Sequence, residues 1–159
     1  MLNWQGVPLL VHVSLIVQQA AGAVTVIGAP SKYSHLGFTV LEDGEPGLGP
    51  LEGIRTALSL STAEWNLIVA CDMPFLNPEL LARLLDEAEQ SGADCLMPSG
   101  QPLCAVYNRR CLPQIDQALQ TGVRKVRQAL AGLRVQLFDT EEVLSFQNMN
   151  RPEDWLRAL

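Results

Sequence analysis

Short runs of consecutive apolar residues alternate along the chain with stretches where apolar residues recur every three or four positions. The first pattern predicts buried strands and the second predicts amphipathic helices. Strands are predicted at 23–28, 37–41, 65–70, 95–98, 103–107 and 135–138, and helices at 8–21, 51–58, 80–88, 111–120, 123–131 and 152–159. This order is typical of an α/β domain built on a mainly parallel sheet.

The run Trp65–Ala70 is the clearest candidate for a central strand, because it is apolar except for Asn66 and is bounded by turn residues. Asp72 follows it directly. Ligands of open α/β sheets bind at the carboxyl ends of the strands, so Asp72 is a candidate Mg²⁺ ligand, with nucleotide phosphates and water completing the shell. The alternative is a cap for the turn that begins at Pro74.

A loop rich in turn-forming residues lies between the second predicted strand and the next helix, at 42–50. The segment Gly47–Gly53 would let the backbone approach a flat or anionic ligand, and the helix after it adds a partial positive charge at its N-terminus. Asp43 could accept hydrogen bonds from a base or a ribose. An ordinary loop with a solvated aspartate is the alternative for both features.

Two further polar segments are candidates for ligand contacts. Asn148 and Asn150 are two residues apart, so in an extended conformation both amides would point to one side. Arg124, Lys125 and Arg127 form a basic segment that could meet a phosphate. Turn-forming asparagines and a solvated helix face are the alternatives.

Composition narrows the class of protein. The chain has 159 residues, enough for one domain, and 48% hydrophobic against 18% charged residues. No stretch approaches the ~20 apolar residues of a membrane span, and a net charge of −6 argues against nucleic acid as a partner. The four cysteines form no Cys-x-x-Cys pair and the N-terminus has no signal pattern, so we expect reduced thiols in a cytoplasmic protein.

Taken together, several segments resemble the molybdenum cofactor guanylyltransferase family, the MobA-type branch of the nucleotidyltransferases. The motifs Cys-Asp-x-Pro-Phe-Leu and Asn-x-Asn-x-Pro-Glu-Asp, in this order, are the most specific part of the resemblance. The matching segments span nearly the whole chain and are Trp4–Leu10, Gly49–Gly53, Cys71–Leu76, Gln101–Tyr107, Gly122–Val126 and Asn148–Asp154.

The resemblance implies a single Rossmann-like, three-layer nucleotidyltransferase domain over residues 1–159. It also implies transfer of GMP from GTP to molybdopterin-bound molybdenum cofactor, with release of pyrophosphate and with Mg²⁺ as cofactor. The implied catalytic residues are Asp72, Asn148 and Asn150, with Asp72 as the metal ligand. The implied nucleotide contacts are Asp43, Gly49, Pro50, Leu51 and Asp72, and the implied pterin-side contacts are Arg124, Lys125, Asn148 and Asn150. Molybdoenzymes or other proteins of cofactor synthesis are further expected partners.

The sequence departs from the family pattern at its start. Family members begin with a strand and a glycine-rich segment that holds the triphosphate, and neither has a counterpart here. We therefore expect an N-terminally truncated domain with unpaired strand edges and weak GTP use by the chain as printed. A start codon assigned too far downstream, a truncated chain and a genuine short homologue would all explain this. A molybdopterin cytidylyltransferase, a sugar-nucleotide pyrophosphorylase and a non-catalytic module that binds molybdopterin or a molybdoenzyme remain alternatives for the function.

Overall fold

The computed structural model describes residues 2–45, 47–150 and 154. Eight strands lie in these residues: β1 Asn3–Trp4, β2 Val7–Pro8, β3 Thr25–Ile27, β4 Thr39–Leu41, β5 Trp65–Val69, β6 Cys95–Pro98, β7 Cys104–Asn108 and β8 Val135–Phe138. The helices there are α1 Leu9–Ala21, α2 Pro30–Tyr33, α3 Pro50–Leu60, α4 Pro78–Gln90, α5 Leu112–Gln120 and α6 Val126–Ala129. Short 3₁₀ turns occupy Ser34–Leu36, Arg109–Cys111 and Val143–Phe146.

The strands form three separate sheets. β1 and β2 are an antiparallel hairpin, and β3 pairs in parallel with β4. The largest sheet has the order β5-β7-β6-β8, in which β7 runs antiparallel to both neighbours and β6 is parallel to β8. Three of its four strands therefore share one direction, and their carboxyl ends lie at one edge of the sheet.

Two apolar clusters cover the two faces of this sheet and make a three-layer structure. Along β6, Leu96 packs with α1 and α4, whereas Cys95 and Met97 pack with α3, α5 and α6. The alternation follows from the two-residue period of a strand, which sends successive side chains to opposite faces. All residues of β6 and β7 are buried because helices cover both faces. The three layers agree with the fold class implied by the sequence.

Most predicted elements are confirmed, and the exceptions have local causes. Pro8 ends a short strand and caps α1, because the hairpin formed by β1 and β2 precedes the helix. The segment 30–36 forms α2 and a 3₁₀ turn that the sequence pattern does not predict. The helix predicted at 123–131 is reduced to the four residues of α6. The helix predicted from Pro152 lies outside the described residues.

The prediction of a central strand at 65–70 is wrong for the described part of the chain. β5 is an edge strand of the four-stranded sheet, and each of its residues is half-buried despite its apolar sequence. β5 is half-buried because β7 covers one of its edges, while no described strand pairs with its other edge. Whether a further strand precedes the chain stays a prediction.

Asp94 joins the start of β6 to two other segments through a compact ion cluster. Its carboxylate accepts hydrogen bonds from the backbone N–H of Arg134 at 2.8 Å and from Nε of Arg110 at 2.6 Å. A guanidinium nitrogen of Arg134 lies 3.2 Å from the same carboxylate. These donors hold the pKa of Asp94 far below its usual range, with Arg134 as the largest cause. The cluster fixes β8 beside β6 at the end opposite the carboxyl edge.

We expect Asp94→Asn to lower the free energy of unfolding at pH 7 by about 1–3 kcal/mol, because charged hydrogen bonds to a buried acceptor are lost. Since the folded-state pKa is depressed, the stabilisation is present above the unfolded-state pKa of about 3.9 and is lost as pH falls through the folded-state pKa. Denaturant titrations at pH 7 and pH 3 measure this. An equal difference between wild type and variant at both pH values would contradict the assignment.

Candidate active site

Asp72 lies in the turn that follows β5, at the carboxyl edge of the sheet. Met73 and Leu76 of the same turn are almost fully buried in the core, so the turn is anchored from below. Oδ1 of Asp72 is buried, and no described residue donates a hydrogen bond to it. Burial is the largest cause that raises the pKa of the carboxyl group. An anionic oxygen held without a donor is unfavourable unless a ligand completes it.

The N-terminal hairpin and α1 support this turn from the side. His12 lies on α1, and its Nε2 is 2.9 Å from the carbonyl oxygen of Pro74. The ring of Trp4 packs edge-on against Phe75 with centroids 5.1 Å apart. The sequence around His12 gives no signal of this contact, because the contact depends on how α1 packs over the turn.

The structure brings Asn148 and Asn150 to Asp72. The backbone N–H of Met149 donates a 2.7 Å hydrogen bond to the carbonyl oxygen of Asp72, and the Met149 side chain is fully buried. Asn148 and Asn150 are exposed on either side of this buried anchor. The backbone N–H of Asn150 also donates to Asp154 at 3.0 Å. The exposed amides of Asn148 and Asn150 therefore flank Met149, whose backbone N–H is hydrogen-bonded to the backbone carbonyl of the candidate metal ligand Asp72.

The loop before α3 carries a second carboxylate without a donor. Oδ1 of Asp43 is buried, lacks a hydrogen-bond partner among the described residues, and lies close to Gly53 in the first turns of α3. Burial, and then the charge of Glu52, raise the pKa of Asp43. Gly53 and Asp72 line one cleft, so the start of α3 and the turn after β5 face the same space.

Glu52 holds this loop in place, although the sequence analysis did not single it out. Its buried carboxylate accepts hydrogen bonds from the backbone N–H of Glu45 at 3.1 Å and from Nε of Arg55 at 2.8 Å. Thr56 accepts from the backbone N–H of Gly44 at 3.2 Å. Glu52, Arg55 and Thr56 are three and four residues apart on α3, which is the spacing that could have indicated a shared helix face.

The predicted nucleotide contacts in the same segment have different environments. Gly49 has a φ of 82°, a left-handed conformation that favours glycine, and Pro50 is the first residue of α3. Leu51 is fully buried and its side chain belongs to the core. Only the backbone of Leu51 is therefore free to contribute to a ligand pocket.

The residues of the basic segment 124–127 lie in different environments. Arg124 donates to the carbonyl oxygens of Leu119 and Val123 at 3.1 and 3.0 Å, where it caps the end of α5. Lys125 is exposed immediately before α6. The guanidinium of Arg127 lies beside Gly100 in the loop that follows β6, at the same edge of the sheet as Asp72. The side-chain contacts of Arg124 are thus with α5, whereas Arg127 reaches the carboxyl edge.

This α/β fold, with candidate ligand groups at the carboxyl edge of its sheet, is shared with the nucleotidyltransferases. A crystal structure of molybdopterin-guanine dinucleotide biosynthesis protein A from Archaeoglobus fulgidus superposes with a TM-score of 0.81 and 26% identity, covering 99% of this chain and 86% of that one. The cytidylyltransferase for 2-C-methyl-D-erythritol 4-phosphate from Thermus thermophilus superposes with a TM-score of 0.77, but its 20% identity shows the fold alone.

Residues 1–136 match the MobA-like NTP transferase domain, and the chain belongs to this family. The molybdenum cofactor guanylyltransferase of Pseudomonas entomophila is 30% identical over 161 residues, which cover 96% of this chain and 84% of that protein. The resemblance found in the sequence is thereby confirmed. No helix within the described residues is long and apolar enough to cross a membrane.

We expect Asp72→Asn to raise the free energy of unfolding of the ligand-free chain at pH 7. The folded-state pKa of Asp72 is raised, so its ionised form opposes folding above the unfolded-state pKa of about 3.9, and a neutral isostere removes that penalty. The gain should disappear at pH 3, where the carboxyl group is protonated in both states. Thermal unfolding at both pH values measures this; a variant less stable than wild type at pH 7 would contradict it.

Proposed function

We propose that this chain transfers GMP from GTP to the phosphate of molybdopterin in the molybdenum cofactor, forming the guanine dinucleotide cofactor. Membership in the MobA-like family supports this activity. The observation that carries the proposal at the level of residues is the contact between Met149 and Asp72. This contact joins the backbone of the segment that carries two exposed amides to the backbone of Asp72, whose buried carboxylate oxygen lacks a donor among the described residues.

The reaction forms one phosphoanhydride bond and breaks another. A phosphate oxygen of molybdopterin attacks the α-phosphorus of GTP, and the bond from that phosphorus to the bridging oxygen of the β-phosphate breaks. Pyrophosphate leaves with the bonding electrons, and no covalent intermediate with the enzyme is needed. The residues contribute by positioning the two phosphates and by balancing their charge.

The environment of Asp72 fits a divalent cation. A carboxylate oxygen without a donor is the kind of ligand that Mg²⁺ takes, and Mg²⁺ commonly uses one or two protein carboxylates together with substrate phosphates. The described residues contain no group of three or more potential metal-binding side chains, so phosphates and water would supply the other ligands. Mg²⁺, when bound, supplies positive charge that offsets the charge of the triphosphate.

The other predicted residues divide between the two substrates. Asp43, over the start of α3, is proposed to contact the guanine nucleotide together with the backbone of Gly49, Pro50 and Leu51. Asn148 and Asn150 are proposed to bind the pterin side as exposed amides. Lys125 and Arg124 are proposed to attract its phosphate, although Arg124 also caps α5. Molybdoenzymes that receive the product are the proposed protein partners.

The test measures formation of the dinucleotide cofactor from molybdopterin, molybdate and Mg²⁺ with either GTP or CTP. The assay uses this chain and, beside it, a form extended upstream through any in-frame glycine-rich segment of its gene. In whichever form is active, Asp72→Asn should lower the rate about 10²-fold or more, because charge stabilisation of the reacting phosphates is lost. Asp86→Asn, which changes an exposed aspartate of α4, is the matched control and should leave the rate unchanged.

Each outcome of this assay assigns a function. Transfer from GTP supports the proposal, and preferential use of CTP would replace it with cytidylyl transfer. If both forms bind molybdopterin and neither uses a nucleotide, the chain is a binding module and the catalytic proposal fails. Unchanged turnover of Asp72→Asn would remove that residue from the reaction.

We expect Asn150→Ala to weaken molybdopterin binding about fivefold while GTP binding changes less than about twofold. The reason is that one lost hydrogen bond to a ligand costs about 1 kcal/mol, and the proposed ligand of this amide is the pterin side. Titration calorimetry with each ligand measures the two affinities. Gln120→Ala, which removes an exposed amide at the end of α5, is the control. A larger loss of GTP affinity would move Asn150 to the nucleotide side.

A further inference from the structure

A buried ion pair on α3 lies against the loop that carries Asp43. Glu52 is only 2% exposed, and its carboxylate accepts hydrogen bonds from the guanidinium of Arg55, with Nε at 2.8 Å from Oε2. These hydrogen bonds are the largest cause that lowers the pKa of Glu52. A carboxylate at this depth opposes folding unless donors surround it, so Glu52 depends on Arg55.

The same part of α3 binds two successive backbone N–H groups of the loop. The N–H of Glu45 donates to Oε1 of Glu52 at 3.1 Å, and the N–H of Gly44 donates to Oγ1 of Thr56 at 3.2 Å. Thr56 is buried, and its hydroxyl lies 3.4 Å from Oε1 of Glu52. Glu52, Arg55 and Thr56, here called the α3 anchor, therefore hold the two residues that follow Asp43.

Gly44 fits against the α3 anchor because it has no side chain. A Cβ atom at this position would overlap a guanidinium nitrogen of Arg55 and lie 2.8 Å from Oε1 of Glu52. Even an alanine would therefore displace the ion pair or lift the loop. The loop backbone and the ion pair are in direct contact, so the position of one depends on the position of the other.

The α3 anchor also determines which groups of the loop remain for a ligand. The N–H groups of Gly44 and Glu45 are already bonded, whereas the buried Oδ1 of Asp43 lacks a donor among the described residues. A carboxylate oxygen accepts hydrogen bonds and repels phosphate, because both groups are anionic. The donors of a nucleotide are the N–H groups of its base and the hydroxyls of its ribose. The loop is therefore suited to the nucleoside and not to the phosphates.

We propose that Glu52 and Arg55 are positioning residues for nucleotide binding, which hold Asp43 where its carboxylate accepts hydrogen bonds from the nucleoside. They act through Asp43 and do not touch the substrate themselves. This inference rests on the proposed function, in which Asp43 contacts the nucleotide. It adds the part of the nucleotide that is recognised and the two residues on which that recognition depends.

The test compares guanosine with GMP, because the two ligands differ only in the phosphate. Titration calorimetry gives both affinities without turnover. Glu52→Gln keeps the shape of the side chain and removes the charge that orients Arg55. It should weaken the binding of both ligands about tenfold, as expected when a charged hydrogen bond is lost. In the transfer assay, KM for GTP should rise by a similar factor while kcat stays nearly constant.

A second variant and a matched control separate positioning from stability. Gly44→Ala disturbs the same contact from the loop side without changing a charged group, so its loss of affinity should be similar. Asp94→Asn is the control, because Asp94 is also a buried carboxylate paired with arginine. Asp94 lies at the opposite end of the four-stranded sheet, so this variant should be less stable but bind guanosine and GMP within about twofold of wild type.

Equal losses of guanosine and GMP affinity in Glu52→Gln and Gly44→Ala, with Asp94→Asn unchanged, would support the proposal. It would be overturned by unchanged affinity in Glu52→Gln, by a loss confined to GMP, or by an equal loss in Asp94→Asn. Absence of guanosine binding by the wild-type chain at millimolar concentration would also overturn it. The proposed function is judged separately, since transfer from GTP can fail while nucleoside binding and its dependence on Glu52 persist.

Discussion

The candidate site depends on the turn after β5 being held in one position. The backbone hydrogen bond from Met149 to Asp72 is the central contact, because it joins two segments that are 77 positions apart in the chain. Burial of Met73 and Met149 fixes both partners in the core, and His12 approaches the neighbouring carbonyl of Pro74. With the turn anchored from several sides, a ligand would meet a carboxylate that is already placed, which limits the entropy lost on binding.

Two carboxylate oxygens in this region lack hydrogen-bond donors among the described residues. Burying such oxygens without a donor lowers the free energy of unfolding. Oδ1 of Asp43 and Oδ1 of Asp72 are both buried, and burial raises the pKa of both groups. Asp94 shows the contrast, since arginine donors surround its carboxylate and depress its pKa. Asp43 and Asp72 follow the carboxyl ends of strands, where ligands of α/β sheets bind. Asp94 instead precedes β6 and joins it to β8. The arginine-bonded carboxylate of Asp94 and the carboxylate of Asp72, which lacks a donor among the described residues, therefore lie at opposite ends of the four-stranded sheet.

β5 connects the fold to the candidate site. Asp72 follows the carboxyl end of this strand and lines the same cleft as the strand does. β7 secures the opposite edge along all five residues of β5. Within the described residues, β5 is therefore paired along one edge only.

Local patterns in the sequence determined most of the elements and indicated several candidate site residues. Apolar periodicity predicts α1, α3 and α4, and the position of Asp72 after an apolar strand predicts a ligand group, because both depend on residues close together in the chain. The tertiary structure alone decided which segments meet. The pairing order β5-β7-β6-β8, the support of the Asp72 turn by His12, and the role of Glu52 in holding its loop all depend on packing between distant segments. No local period encodes such contacts, since they are set by which faces and edges remain to be buried once the elements have formed.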